Sequence, residues 1–372
     1  MKRCLYLLPY PEFFKKYNYT GGHVSHFFGI FNAFIELGIS VTVLLSDLPK
    51  LNREELNKFI IVKYSSSNIF LRQLWIIYYL FQLNKLIKLN KPDFCYLRYS
   101  FGILFWLPFF KLICKNIPIF LEINSVYSKI NPLIRFFEIK NFSTFDRLIV
   151  VSETIKSEIN SLSSNRLDSN IKVVYNGVTP SRFAHRSVKI RQSIQKNFKI
   201  GYFGILKPNY DIENLIYGFA KAHESIQHLQ LDIYGDGPLK EELNNLIKSY
   251  DNINYIGFID FDLVPSKMVD YHLLCGTGSN ILKFQSPIKL FEYLASGVPI
   301  LYADNSQAVS ILKNGSFGTL YSTGDSTDIA GKIIYIYHNY SECHAKAVIG
   351  RDYVVNNHTW LARAESILQD YL

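Results

Sequence analysis

The chain has 372 residues, 48% hydrophobic and 15% aromatic, with a formal net charge of +9. That length exceeds one ordinary core and fits two domains, and so much apolar material excludes a disordered or fibrous chain. Residues 1–180 carry 22 Lys+Arg against 12 Asp+Glu while the rest is nearly balanced, so an anionic partner for the first half is expected: a membrane surface, a lipid diphosphate or nucleic acid. No nucleic-acid recognition motif accompanies the charge, which sets that partner aside.

Met1-Lys2-Arg3 before Cys4–Leu8 has the look of a signal peptide, yet the apolar run is short and Pro9 breaks it, so it reads as a first strand, Leu5–Leu8. Further strands are expected at Val41–Leu45, Phe94–Leu97, Ile119–Ile123, Leu148–Val151 and Lys172–Tyr175, with helices such as Val24–Leu37 and Ile69–Leu89 between them. Two apolar stretches, Ile69–Leu83 and Phe101–Cys114, are interrupted by Arg72 and Lys111. Both fall short of the ~20 residues of a spanning helix, and the chain is not expected to cross a membrane. Asn176-Gly177 marks a turn, and the polar, basic Thr179–Asn197 reads as a connector. The second half then starts afresh, with strands expected at Lys199–Phe203, Leu229–Tyr234, Ile253–Ile256, Tyr271–Leu274, Ile300–Tyr302 and Gly318–Leu320. Strands alternating with helices predict an α/β fold of two doubly wound parallel sheets, with ligands at the carboxyl ends of strands and a cleft between the domains as active site. The five cysteines (Cys4, Cys95, Cys114, Cys275, Cys343) form no C-x-x-C pair, so neither a zinc site nor a disulfide framework follows and a reducing compartment is expected.

Ser286-Pro287-Ile288-Lys289-Leu290-Phe291-Glu292-Tyr293-Leu294-Ala295-Ser296-Gly297-Val298-Pro299 is the most informative stretch. Ser286 suits an N-cap, Pro287 the first helical position, Gly297 the left-handed residue after a helix, and Pro299 a stop. Free N–H groups at such a helix start, beside Lys289 and Glu292, suit a nucleoside diphosphate and its ribose, although an ordinary capped helix has the same spelling. Gly21-Gly22 lies between the first strand and a helix, where glycine lets backbone approach a phosphate or sugar or simply makes a tight turn. His26 nearby is read as a minor contact candidate. Asp260-Phe261-Asp262 spells a metal triplet but reads as a surface turn, and no metal is expected. Phe13-Phe14-Lys15-Lys16-Tyr17 and the helix from Ile69 to Lys91 mix basic and bulky apolar residues, as interfacial surfaces do, and a buried helix with snorkelling basic tips explains the longer stretch almost as well.

The stretch 286–299 resembles the donor-binding signature of the retaining glycosyltransferases of GT-B fold, family 4, and is closest to the bacterial polysaccharide branch, written S-P-x-K-L-x-E-Y-x-A-x-G-x-P. The resemblance runs collinearly through Gly21-Gly22-His23-Val24, Arg98-Tyr99-Ser100, Leu121-Glu122-Ile123-Asn124, Ile149–Glu153, Val174–Val178, Gly201–Gly204, Tyr234–Leu239 and Thr359-Trp360-Leu361. It implies two Rossmann-like domains facing a cleft: an acceptor-binding domain at 1–180, a linker at 181–198, a nucleotide-sugar domain at 199–355, and a closing helix within 356–372 that returns to the first domain.

The resemblance also implies site residues. Gly204, Leu206, Lys207, Gly235, Gly237, Ser286, Pro287, Ile288, Lys289 and Glu292 would bind the donor, with Lys207 on the diphosphate, Glu292 on the ribose and the 234–238 glycines leaving room for the base. Gly21, Gly22, His26 and Arg98 would form the phosphate or acceptor loop, and Asn124 stands where many relatives carry a donor-contacting histidine. Lys207, Asn124 and Glu292 are thus the expected catalytic set, with Glu122 in support. Ile205 stands in place of a family Arg, Tyr210-Asp211 in place of a basic residue and Gly, and Phe284 in place of a second Glu. No cofactor or metal is implied, since the nucleotide-sugar is a substrate. The expected function is transfer to a saccharide, on a lipid-linked intermediate of O-antigen, lipopolysaccharide or capsule, by a cytoplasmic protein touching the anionic inner membrane. The rivals are a non-catalytic nucleotide-sugar-binding partner and a GT-B-fold nucleotide-sugar 2-epimerase, whose carboxylate set fits this chain poorly.

Overall fold

A computed structural model describes residues 1–15, 21–48, 58–64, 68–128, 130–183, 197–278, 286–369 and 371. In chain order the first half holds β1 (Arg3–Leu7), α1 (Gly22–Glu36), β2 (Ser40–Leu45), β3 (Phe59–Ile61), α2 (Ile69–Asn90), β4 (Phe94–Arg98), α3 (Leu107–Ile113), β5 (Ile119–Ile123), α4 (Pro132–Phe142), β6 (Arg147–Val150), α5 (Glu153–Ser163) and β7 (Ile171–Val173). The second half holds β8 (Phe198–Phe203), α6 (Ile212–Ser225), β9 (Leu229–Tyr234), α7 (Lys240–Ile247), β10 (Ile253–Gly257), α8 (Val264–Met268), β11 (Leu273–Gly276), α9 (Ile288–Ser296), β12 (Ile300–Ala303), α10 (Ser306–Ile311), β13 (Thr319–Tyr321), α11 (Ser326–His338), α12 (Tyr340–Asn357) and α13 (Trp360–Leu368).

The chain divides into two compact units, one of Met1–Asn176, Phe284–Ser286 and Trp360–Leu372, the other of Gly177–Lys283 and Pro287–Thr359. In the first unit seven parallel strands run in the order β3-β2-β1-β4-β5-β6-β7. In the second, six parallel strands run β10-β9-β8-β11-β12-β13. Each order reverses beside its first strand, between β1 and β4 and between β8 and β11, which is where doubly wound sheets bind ligands. Helices cover both faces, so central strands such as Phe94–Arg98 and Ile119–Ile123 are buried throughout. β3 was absent from the sequence expectation; its three residues pair with Val43–Leu45.

The C-terminal helix belongs to the first unit and packs on α1. Gly29 makes room for it: a Cβ there would stand 2.2 Å from the Trp360 ring. Arg363 reinforces the contact by donating to the Val174 and Tyr175 carbonyls. Phe13 and Phe14 are buried against Phe27, which corrects their reading as interfacial residues. All five cysteines are free and buried.

Candidate functional site

In the second unit, the loops leaving β8 and β9 hold each other by backbone. Gly204 N–H donates to Tyr234 O at 3.0 Å, Leu206 N–H to Asp236 O at 3.0 Å, and Leu239 N–H to Leu206 O at 3.2 Å. A Cβ on Gly235 would lie 1.7 Å from Gly204 O, and one on Gly237 2.2 Å from Leu206 O. These glycines therefore admit the neighbouring loop, a role that spelling alone does not distinguish from leaving room for a base.

The loop pair meets α9. Tyr293 Oη accepts from Phe203 N–H at 3.0 Å and donates to Cys275 O at 3.1 Å, tying the helix to the ends of β8 and β11. One turn earlier, Lys289 Nζ is buried without a hydrogen-bond partner among the described residues. It lies 4.5 Å from the centre of the Tyr202 ring, with the Tyr210 and Tyr293 rings at 5.9 and 6.0 Å. A Cβ on Gly204 would stand 2.5 Å from it, so glycine there keeps the approach to the ammonium open. Burial lowers this ammonium to about 8 against the opposing pull of Glu292. A desolvated ammonium faced by ring quadrupoles and without a hydrogen-bonded anion among the described residues can take an anionic group.

Glu292, on the same helix, accepts at Oε1 from Arg182 Nη1 at 3.0 Å, with side chains only 13% and 19% exposed respectively. Burial holds the Glu292 carboxyl above its usual range, only partly offset by Arg182 and Lys289. Arg182 also donates to Phe261 O, and its guanidinium lies 3.5 Å from the centre of the Phe261 ring. Sequence reading missed Arg182, which lies in the stretch taken as connector. The available signal was an arginine four residues beyond the Val178 end of the N-G-V turn, between Pro180 and Phe183.

Lys207 is exposed at the start of a 3-10 turn, Leu206 beside it is buried, and Ile205 is exposed. The structure thus brings Gly204 and Lys289 together and leaves Lys207 on the surface of the loop. Ile288 is half-buried in the first turn of α9. The helix begins one residue later than expected, with Pro287 in the cap position. Ser286 does not cap it, because its hydroxyl accepts from Asn176 N–H at 3.1 Å and its carbonyl from Asn176 Nδ2 at 2.7 Å. Gly297 ends the helix in the left-handed conformation, φ 71°. Phe284 lies outside the described residues.

In the first unit, Gly21 (φ 98°) and Gly22 open α1 after β1. Glu122 on β5 is fully buried and accepts from His26 Nε2 at 2.8 Å, Asn124 Nδ2 at 2.8 Å and Tyr96 Oη, with Arg363 Nη2 3.8 Å away. Burial alone pushes Glu122 up, but His26, Arg363 and Arg98 outweigh it and hold the carboxyl well below its usual range. His26 is pushed down to about 4, chiefly by burial, so it is neutral at pH 7. Its Nδ1, 3.5 Å from Arg98 Nη1, then accepts while Nε2–H donates to Glu122. His26 and Arg98 are buried, whereas Asn124 is half-buried and its carboxamide is oriented by Glu122.

The triplet 260–262 leads into a 3-10 turn, and among the described residues no cluster of three His, Cys, Asp or Glu side chains could hold a metal.

Residues 20–182 match the profile of Glycosyltransferase Family 4, and residues 186–351 that of Glycosyl transferases group 1. A comparison with curated proteins found no match. Among solved structures, the fold is similar to HepE of Anabaena in complex with UDP, at 16% identity and TM-score 0.74 over 100% of this chain and 99% of that one. A glycosyltransferase from Rickettsia africae is 15% identical with TM-score 0.78, over 100% and 97% of the two chains. The lipopolysaccharide outer core galactosyltransferase WaaB is 17% identical with TM-score 0.71, over 100% of both. These likenesses show the GT-B fold. With two family profiles following one another along nearly its whole length, the chain belongs to glycosyltransferase family 4 and is a retaining nucleotide-sugar glycosyltransferase.

Proposed function

We propose that the second unit holds a nucleoside-diphosphate sugar and the first an acceptor saccharide, carried on a lipid-linked intermediate of O-antigen, lipopolysaccharide or capsule synthesis. The buried ammonium of Lys289, unpaired among the described residues and one turn from Glu292, carries this reading. Lys289 takes the diphosphate, with the exposed Lys207 and the backbone at Ser286, Pro287 and Ile288 completing its shell. Glu292 accepts from the ribose hydroxyls. Gly204, Leu206, Gly235 and Gly237 shape the loop pair against the nucleotide. In the transfer, the anomeric carbon–oxygen bond to phosphate breaks and the acceptor oxygen bonds the same face of that carbon. The acceptor proton passes to the departing diphosphate, whose charge the lysines stabilise. Asn124 contacts the sugar, and His26, Arg98, Gly21 and Gly22 shape the acceptor side.

A membrane contact fits the first unit. On α2, Ile76, Tyr79, Leu80 and Leu83 are buried, while Phe70, Leu74, Ile77, Tyr78 and Phe81 are exposed, so the helix is apolar on both faces. Across an apolar groove of about 630 Å³ stand Trp106, Phe109 and Leu112, and Phe105 continues the surface to Phe137 at 5.1 Å. Between residues 69 and 142 the carboxylates are Asp93, Glu122 and Glu138, against ten Lys and Arg residues. Glu122 and Glu138 are buried, and Asp93 sits beside Arg3. An apolar face on a stretch with so large an excess of cations suits an anionic bilayer at the cytoplasmic side. Among the described residues no helix is long and apolar enough to cross one.

Thermal melts with UDP, GDP, ADP, CDP and dTDP and their sugars test the donor assignment. One nucleotide family, UDP first because of the HepE complex, raises the melting temperature, and Glu292→Ala abolishes the rise while leaving the fold intact. An unchanged rise in that variant removes Glu292 from the ribose.

A further inference from the structure

Arg182 is the one cation that touches Glu292 among the described contacts, and it is held on three sides: by the Glu292 carboxylate at 3.0 Å, by the Phe261 ring at 3.5 Å, and by the Phe261 carbonyl. A guanidinium this constrained is not a surface ion pair whose partners come and go. Its position fixes the rotamer of the carboxylate and leaves Oε2 uncommitted in the contacts seen.

We propose that Arg182 is a positioning residue for the donor, orienting Glu292 so that the carboxylate accepts both ribose hydroxyls at once. The proposal rests on the assignment of Glu292 to the ribose. Its chemistry is one of acceptor capacity. An ionised carboxylate offers about four lone-pair sites. Arg182 occupies one, and two hydroxyls can use two more. A protonated carboxyl becomes a donor at one oxygen and cannot serve both hydroxyls. Burial favours that neutral form, and Arg182 is the largest influence opposing it, ahead of Lys289.

The other charges around the pair do not substitute for Arg182. Lys289 sits one turn away and makes no hydrogen bond to the carboxylate. Asp262 acts on Arg182 and helps keep it charged. On α8, Lys267 pairs with Asp270. His358, whose ring lies 5.3 Å from that of Phe291, is pushed down to about 4 by burial and stays neutral from pH 5 upward. Without Arg182 the carboxyl would therefore take up a proton at higher pH than it does now.

The experiment uses the full chain, and the ribonucleoside diphosphate among UDP, GDP, ADP and CDP that raises its melting temperature most, against the 2′,3′-dideoxy counterpart. Affinities for both are measured from pH 8 to pH 5. Wild type prefers the ribonucleotide about tenfold or more at pH 8, and the preference weakens only toward the acid end, where the carboxyl raised by burial takes up a proton. Glu292→Gln brings the preference near unity at every pH. Arg182→Gln retains most of it at pH 8 and loses it at a higher pH than wild type does, while dideoxynucleotide affinity keeps its wild-type course; Arg182→Lys restores the wild-type profile in part. Phe261→Ala removes the ring under the guanidinium without touching either charge, and shifts the profile the same way by less, so the inference is tested even if Arg182→Gln fails to fold. If Glu292→Gln abolishes the preference while Arg182→Gln and Phe261→Ala keep the wild-type profile, Arg182 is only structural and the ribose assignment stands. If Glu292→Gln leaves the preference intact, the ribose assignment falls and the role of Arg182 falls with it.

Discussion

Lys289 shows how one side chain links packing to ligand. Its ammonium is buried among three tyrosine rings, and burial has moved it down to about 8. Two pH effects follow, of opposite sign. In the free protein, the unfolded chain binds more protons at this lysine between about 8 and its ordinary value of 10.5. Stability attributable to Lys289 therefore rises with pH through that window, and Lys289→Met removes the rise in pH-dependent denaturant melts. A diphosphate needs the charged form, so its affinity falls above about pH 8. In Lys289→Met the affinity at pH 7 drops roughly 10- to 100-fold, the worth of a charge-assisted bond of about 1.5–3 kcal/mol, and the fall above pH 8 disappears in calorimetric titrations. Sequence alone brought out Lys289 and Glu292 because their spacing on a helix and the resemblance coincide. It did not reveal that Arg182 completes the pair, since 110 residues separate it from Glu292 and its place just beyond the N-G-V turn marks a candidate without naming the partner.

At the scale of elements, alternating apolar runs and capped amphipathic stretches made the two sheets legible, because strands buried on both faces leave strong signals. β3 escaped because it is three residues long at a sheet edge, where pairing with β2 and not composition makes the strand. Ser286 was misassigned for a related reason: its local context is that of an N-cap, but Asn176 claims its hydroxyl. The resemblance foresaw the return of α13 to the first unit, and Gly29 under Trp360 supplies the physical cause. Trp360→Ala should cost the first unit about 3–5 kcal/mol, and Gly29→Ala should also destabilise it, since a Cβ there collides with a rigid ring. Denaturant melts followed with probes in each unit should show the first transition moving and the second staying; two transitions moving together would contradict the assignment of α13 to the first unit.

Over the whole molecule, the basic excess of the first half was visible in composition, but its placement was not. Periodicity cannot say which face of a helix that is apolar all round meets the core. The structure leaves Phe70 at 70% exposure and Phe81 at 63%, while Phe13 and Phe14 go inside. If this face docks on a bilayer, the protein co-floats with vesicles containing anionic lipid and less so as salt is added. Phe81→Ser with Phe109→Ser should reduce partitioning at least tenfold, since burying each ring is worth about 1.5–3 kcal/mol. Equal binding to neutral and anionic vesicles would remove the charge argument. The central claim, that the donor sits on the loops after β8 and β9 and the first turns of α9, is tested most directly by amide hydrogen exchange with and without the stabilising nucleoside diphosphate. Added protection is expected at 204–207, 235–239 and 287–293. Protection confined to the first unit, with these segments unchanged, would contradict it.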